Sequence, residues 1–350
     1  MSKKVKLIIV SVVAVIIVCC IATFAMYKIN LEPVSSKSEE VRFQIVDGDN
    51  QSSIIDRLAN DGIIKNESFA KISARLNGYD SFAVGLYVID KSWSTPKILD
   101  YLTKSENIKN DEVLITFREG IWAKDIAAEL EKKLGINAED LLALWNNDEF
   151  LKEAMKHYEF LTDDIFNESY RVKLEGYLFP ETYYFNKEAS LEDITYTFLN
   201  QFDVEYQKIK ADVEASDLSI HEIVTLASVV QFESSTKEDM ENVAGVFYNR
   251  LNIGQKLESS VTVCYSLYEF DSWLDCEIQY TVESPYNTYL YEGLPIGPIL
   301  NPGKEALEAT LHPASHEYYY FIADVQGDGK VYYAKTYEEH LANVEKYLDY

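Results

Sequence analysis

The residue best placed to do acid–base chemistry is Glu233, inside the run SIHEIVTLASVVQFESSTKEDMENVAGVFYNRL at residues 219–251. Leu226, Val229 and Val230 precede it by seven, four and three residues, so in a helix they share a face with the carboxyl. Ser219 with Glu222 reads as a capping box that opens this helix, and Ser235 with Glu238 as a box that opens a second. Met240, Val243, Ala244, Phe247 and Leu251 form one stripe on the second helix. Glu233 is therefore expected in the last turn of the first helix, at the elbow between the two. Apolar neighbours and the negative end of the helix dipole both disfavour a carboxylate there, so its pKa should be raised. A carboxyl kept protonated near neutrality is what a general acid requires. The competing reading is a solvated or ion-paired glutamate at a helix end, one of 58 acidic residues in the chain.

The elements that must hold such a site come from a chain of 350 residues, 47% of them apolar, which is enough for two or three domains with cores. A formal charge of −26 makes a surface that repels polyanions, which argues against nucleic acid as a partner. Residues 7–26 are apolar except for Ser11 and Thr23 and are preceded by Lys3, Lys4 and Lys6. At helical rise this run matches a bilayer core of about 30 Å. The positive-inside rule then gives a cytoplasmic tail (1–6), a single-pass transmembrane helix (7–27), a linker (28–40) and an extracellular remainder at the cell membrane. A cleaved signal peptide is the alternative, but its apolar core would be shorter. The residues before Cys19 and Cys20 do not make a lipidation site. Beyond this segment stand Cys264 and Cys276, whose pairing the sequence leaves open. No cofactor and no metal is expected. Asp324, Gln326, Asp328 and Gly329 superficially follow a calcium loop, but its twelfth position is Lys335 where a bidentate glutamate is needed.

Residues 41–108 alternate strand, helix, helix, strand and helix: VRFQIV, 52–60, 68–76, GLYVID and 95–102. Gly48, Ile54 and Leu58 recur at an offset of 72 as Gly120, Ile126 and Leu130, each glycine following a strand-like run. Two copies are too few for a solenoid, so a second small α/β unit is expected at 109–165. Further on, a turn-rich stretch at 284–303 contains repeated prolines and glycines, YYYFIAD and KVYYAK flank VQGDG as a β-hairpin, and 337–350 closes the chain as a helix.

LASVVQFESS followed by VAGVFYNRL resembles the signature of the endolytic murein transglycosylase (MltG, YceG-like) family. LEGYLFPETYYF (174–185), SPYNTYLYEGLPIGPILNPG (284–303) and ATLHPASHEYYYFIAD (309–324) are similar to the same family in the same order. The similarity spans most of residues 40–350. It implies an α+β protein: a transmembrane helix, a LysM-like α/β module at 41–108, then a mixed α+β catalytic domain at 109–350 with its active-site region at 166–350. In that family the catalytic glutamate is the second acid of an E-K-E-like triplet, which falls on Glu233. This chain departs from the triplet at Gln231 and Phe232.

The resemblance implies a lytic transglycosylase that cuts nascent peptidoglycan strands and leaves 1,6-anhydro ends, working alongside penicillin-binding proteins. Sugar rings present apolar C–H faces, so a tyrosine-lined groove suits such a substrate. Glu175, Tyr177, Tyr286, Asn287 and Tyr289 are the expected substrate contacts, with Asn287 able either to bond an N-acetyl group or to hold its loop. A hydrolase would need a second carboxyl, for which Glu175 and Glu181 are the candidates. A non-catalytic wall-binding scaffold is the remaining alternative.

Overall fold

The structure is a computed structural model that describes residues 3–46, 48–109, 112–233, 236–323 and 330–347, without the side chains of 3–12, 14, 273 and 274. The chain divides into two compact units, residues 1–112 and 113–350.

In the first unit, helix α1 (Lys3–Asn30) precedes strand β1 (Glu40–Ile45), helices α2 (Gln51–Asn60) and α3 (Glu67–Asn77), strand β2 (Gly85–Asp90) and helix α4 (Thr95–Leu102). Strand β1 pairs antiparallel with β2, with Phe43 opposite Tyr87. Ile54, Ile55 and Leu58 of α2 and Ile98, Leu99 and Leu102 of α4 close one core against that ribbon. Helix α2 is opened by Asn50, whose side chain accepts the Ser53 N–H while Ser53 Oγ accepts the Asn50 N–H. The apolar run at residues 7–26 lies in α1, yet among the described residues no helix is long and apolar enough to cross a membrane.

Strand β3 (Glu112–Thr116) enters the second unit at Val113 and is followed by helices α5 (Ala123–Leu134), α6 (Ala138–Trp145) and α7 (Asp148–Ala154). The internal repeat is visible here. Gly48 and Gly120 both have φ in the left-handed region, +91° and +81°, and the matched isoleucines and leucines are buried on α2 and α5. The LEGYLFPETYYF stretch is strand only at its end, as β4 (Thr182–Asn186), which pairs with β3; residues 174–177 form turns. Gly176 sits there at φ +91°, where a Cβ would lie 2.6 Å from Pro298 and 2.7 Å from Val224. Only glycine permits that approach.

Helix α8 (Leu191–Ala215) lays Ile194, Phe198, Phe202, Tyr206, Ile209 and Val213 on the core. Helix α9 (Ile220–Glu233) is more enclosed than an amphipathic reading foresees: residues 220–221 and 223–230 are all buried. A helix apolar on every side belongs in the middle of a domain. It packs against α10 (Lys237–Asn252), α11 (Ser260–Leu267) and α13 (Lys304–Leu311). Helix α12 (Trp273–Glu277) lies between α11 and α13 in sequence, and Cys276 on it is bonded to Cys264 on α11. Residues 281–303 form a loop without helix or strand. The chain ends with the antiparallel hairpin β5 (Tyr320–Ala323) and β6 (Val331–Ala334), then α14 (Tyr337–Tyr347). The VQGDG turn and the calcium-like residues within it, Asp324 to Gly329, lie outside the described residues.

Candidate active site

Glu233 is the last residue of α9. The helix starts as expected: Glu222 Oε2 accepts the Ser219 N–H at 2.8 Å and Ser219 Oγ accepts the Glu222 N–H at 3.2 Å. The second cap differs. Ser235 lies outside the described residues, and α10 is capped by Thr236, whose hydroxyl accepts the Asp239 N–H and donates to the Asp239 carboxylate. Gln231, where the family triplet has its first acid, accepts the Gly303 N–H at 2.9 Å and so ties the end of α9 to the start of α13. Phe232 is partly exposed.

The Glu233 side chain faces a cleft of about 930 Å³. Ser259 Oγ donates to Glu233 Oε1 at 2.6 Å. Burial pushes the carboxyl above its ordinary range, the Ser259 bond opposes that rise, Glu277 reinforces it and Arg250 weakly opposes it. The residue keeps a margin of solvent contact while its carboxyl is largely desolvated, the combination a proton donor to a bound ligand needs. Ser259 is itself fixed. Its N–H donates to Thr288 Oγ1 at 3.1 Å, its carbonyl accepts the Thr262 hydroxyl, and Thr262 and Thr288 share a 2.9 Å hydroxyl contact. Glu258, just before it, is held at φ +49°, an uncommon conformation for a residue with a side chain. Arg250 underlies the cleft: it donates to the carbonyls of Leu257 at 2.7 Å and Tyr319 at 2.6 Å.

Of the expected substrate contacts, the structure brings Tyr289 into this cleft with Glu233. The others are elsewhere. Glu175 is buried and accepts the Ala123 N–H and Asn301 Nδ2 on one oxygen and the Tyr265 hydroxyl on the other. Tyr177 is fully buried, its hydroxyl 2.8 Å from His221 Nδ1. Tyr170 donates its hydroxyl proton to the Ile296 carbonyl, so it accepts from His221 Nε2, and His221 Nδ1 accepts from Tyr177. Tyr286 is buried, with its ring 4.9 Å from that of Tyr265, and its hydroxyl accepts the Arg171 N–H. Asn287 is the loop-holder of its two readings: Nδ2 donates to the Tyr280 and Val282 carbonyls and Oδ1 accepts the Tyr289 N–H. These four positions are core because their polar atoms pair inside the protein, leaving no edge for a ligand. Glu181 is exposed but is not among the residues lining the cleft; the acids that line it beside Glu233 are Glu258 and Glu292.

Ser259, Arg250, Tyr280, Tyr337 and His340 also line the cleft without having been expected there, whereas Tyr320 belongs to the tyrosine tract that suited a glycan groove. The aromatic tract around Tyr320 was a signal. Ser259 carried none, since its link to Glu233 spans 26 residues.

A profile of the YceG-like family matches residues 43–346. An endolytic murein transglycosylase of Bacillus subtilis is 33% identical over 324 residues, covering 91% of this chain and 88% of that protein. One of Streptococcus pneumoniae is 30% identical over 335 residues, and there the match spans 91% of this chain but 61% of the relative's length. The crystal structure of a YceG-like protein of Listeria monocytogenes superposes with a TM-score of 0.61 at 31% identity, over 87% of this chain and 99% of that one.

Proposed function

The chain belongs to the YceG-like family, and from that premise we propose that it is a peptidoglycan lytic transglycosylase with Glu233 as its general acid and base. The observation that carries this reading is the Glu233 carboxyl itself: desolvated, raised in pKa, oriented by Ser259 and open to a cleft large enough for several sugar units. Relatives named for the same activity support it.

In the reaction the protonated Glu233 gives its proton to the glycosidic oxygen as the bond to C1 of N-acetylmuramic acid breaks. The resulting carboxylate takes the proton of that sugar's C6 hydroxyl as O6 bonds to C1. One strand leaves with a free hydroxyl, the other with a 1,6-anhydro ring, and Glu233 is protonated again. Water is not consumed. Charge developing at C1 is met by the acetamido group of the substrate and by dipoles of the cleft.

Three further points rest on the sequence. Although no described helix meets the length and apolarity of a membrane span, the apolar run 7–26 behind three lysines supports a single-pass anchor with the catalytic unit outside; the strand and helix order of residues 41–108 supports a LysM-like glycan-binding module, and the family resemblance supports work on nascent strands beside penicillin-binding proteins.

A hydrolase remains the second reading, because Glu258 and Glu292 line the same cleft and either could direct a water. Digestion of purified glycan strands separates the two. New ends lighter by one water than reducing ends support the transglycosylase; reducing ends support the hydrolase; intact strands remove both.

A further inference from the structure

The cleft holds two separate groups of aromatic residues. Tyr280 and Tyr289, with ring centroids 4.5 Å apart, come from the segment before and within the 281–303 loop. The second group comes from the end of the chain. Tyr320 on β5 lies 5.8 Å from Tyr337 and 5.4 Å from His340, both on α14, and the His340 ring is stacked on that of Tyr320. From below, the Arg250 guanidinium approaches the Tyr320 ring at 5.1 Å.

Tyr337 is 56% exposed although it is a large ring at the mouth of a cleft. His340 Nδ1 is buried and finds no hydrogen-bond partner among the described residues. Closed off from solvent, that nitrogen is not a ligand contact, and His340 acts through its ring, which is stacked on Tyr320 and lies 6.0 Å from Tyr337. An exposed aromatic face lining a cleft is what takes the apolar C–H face of a sugar ring.

We propose that Tyr320, Tyr337 and His340 form a sugar-binding subsite in the cleft that Glu233 also lines, for an N-acetylated hexose of the glycan strand. Tyr337 supplies the platform, and the rings of His340 and Tyr320, the latter backed by Arg250, keep it in place. This rests on the reading of the cleft as a glycan site. Helix α14 is then a wall of the active-site cleft, beyond its role in closing the fold, and the subsite selects strands long enough to reach it.

The test uses the full chain. On peptide-free glycan strands, Tyr337→Ala and His340→Gln raise KM about tenfold with kcat moved less than about twofold, and Tyr337→Phe stays near wild type because the ring is kept. In parallel, protein labelled with nitrogen-15 histidine is titrated with β-1,4-linked N-acetylglucosamine tetramer, and the His340 ring resonances, assigned through His340→Gln, move. Unchanged KM in both variants together with unmoved His340 resonances overturns the proposal. If wild type cuts no strand, the reading of Glu233 falls, and the resonances alone decide the subsite: movement supports it and stillness overturns it.

Discussion

Ser259 donates a 2.6 Å hydrogen bond to Glu233, joining the residue just before α11 to the last residue of α9. The bond orients a side chain that would otherwise swing at a helix end, and it stabilises the ionised form while burial stabilises the protonated one. A group that must give a proton and then take one back works best between those two pulls.

Removing the donor tests this balance. Ser259→Ala lets the Glu233 pKa rise further, so the alkaline limb of the kcat/KM profile, where the acid loses its proton, moves to higher pH. Loss of orientation lowers kcat about tenfold, the equivalent of about 1.4 kcal/mol, and Ser259→Thr restores most of it. An unmoved limb would mean the hydroxyl does not act on the acid.

Glu233→Gln keeps shape and burial but has no proton to exchange. Cleavage of glycan strands should fall by at least about a hundredfold while the melting temperature and strand binding stay near wild type. Retained cleavage would remove the assignment.

Tyr177 and Tyr289 should respond in opposite ways. Tyr177→Phe strips the hydroxyl that His221 Nδ1 accepts from, costing about 1–2 kcal/mol of stability with kcat/KM unchanged. Tyr289→Ala, at the cleft, lowers kcat/KM with the smaller effect on melting. Thermal melts and kinetics on the two variants read this directly.

Burial pushes the Glu175 carboxyl up to about 8 against three donors aimed at it. Its folded pKa stands above the ordinary 4.5, so the folded state binds the extra proton between these values. That contribution to stability is complete below about pH 4.5 and is lost as pH rises through about 8. Glu175→Gln should flatten this part of a denaturation series, whereas Glu175→Ala, which strands the donors, should cost about 3 kcal/mol.

The Cys264–Cys276 bond clamps α12 to α11, and Glu277, which raises the Glu233 pKa, is the next residue. Replacing both cysteines with serine should cost about 3 kcal/mol, measured by denaturant titration, for a closed loop of this length. Wild type under reducing conditions should behave alike.

Local chemistry explains what the sequence determined by itself. Ser219 and Glu222 are neighbours on one turn, so the start of α9 and the place of Glu233 at its end followed from spacing. Strand β2 and helix α4 fall on the ranges their alternation and turn residues predict, and the 72-residue repeat is a repeated strand, turn and helix. The second cap was displaced to Thr236 because several hydroxyls in a row can each open a helix. The division of the tyrosines was decided only by tertiary structure. Tyr177, Tyr286 and Tyr289 look alike as residue types, but their burial depends on partners such as His221, Arg171 and Tyr265 that come from other elements. Likewise Ser259, Tyr337 and His340 reach the cleft through contacts across the chain, and no short-range pattern encodes which distant surfaces a packed core will bring together.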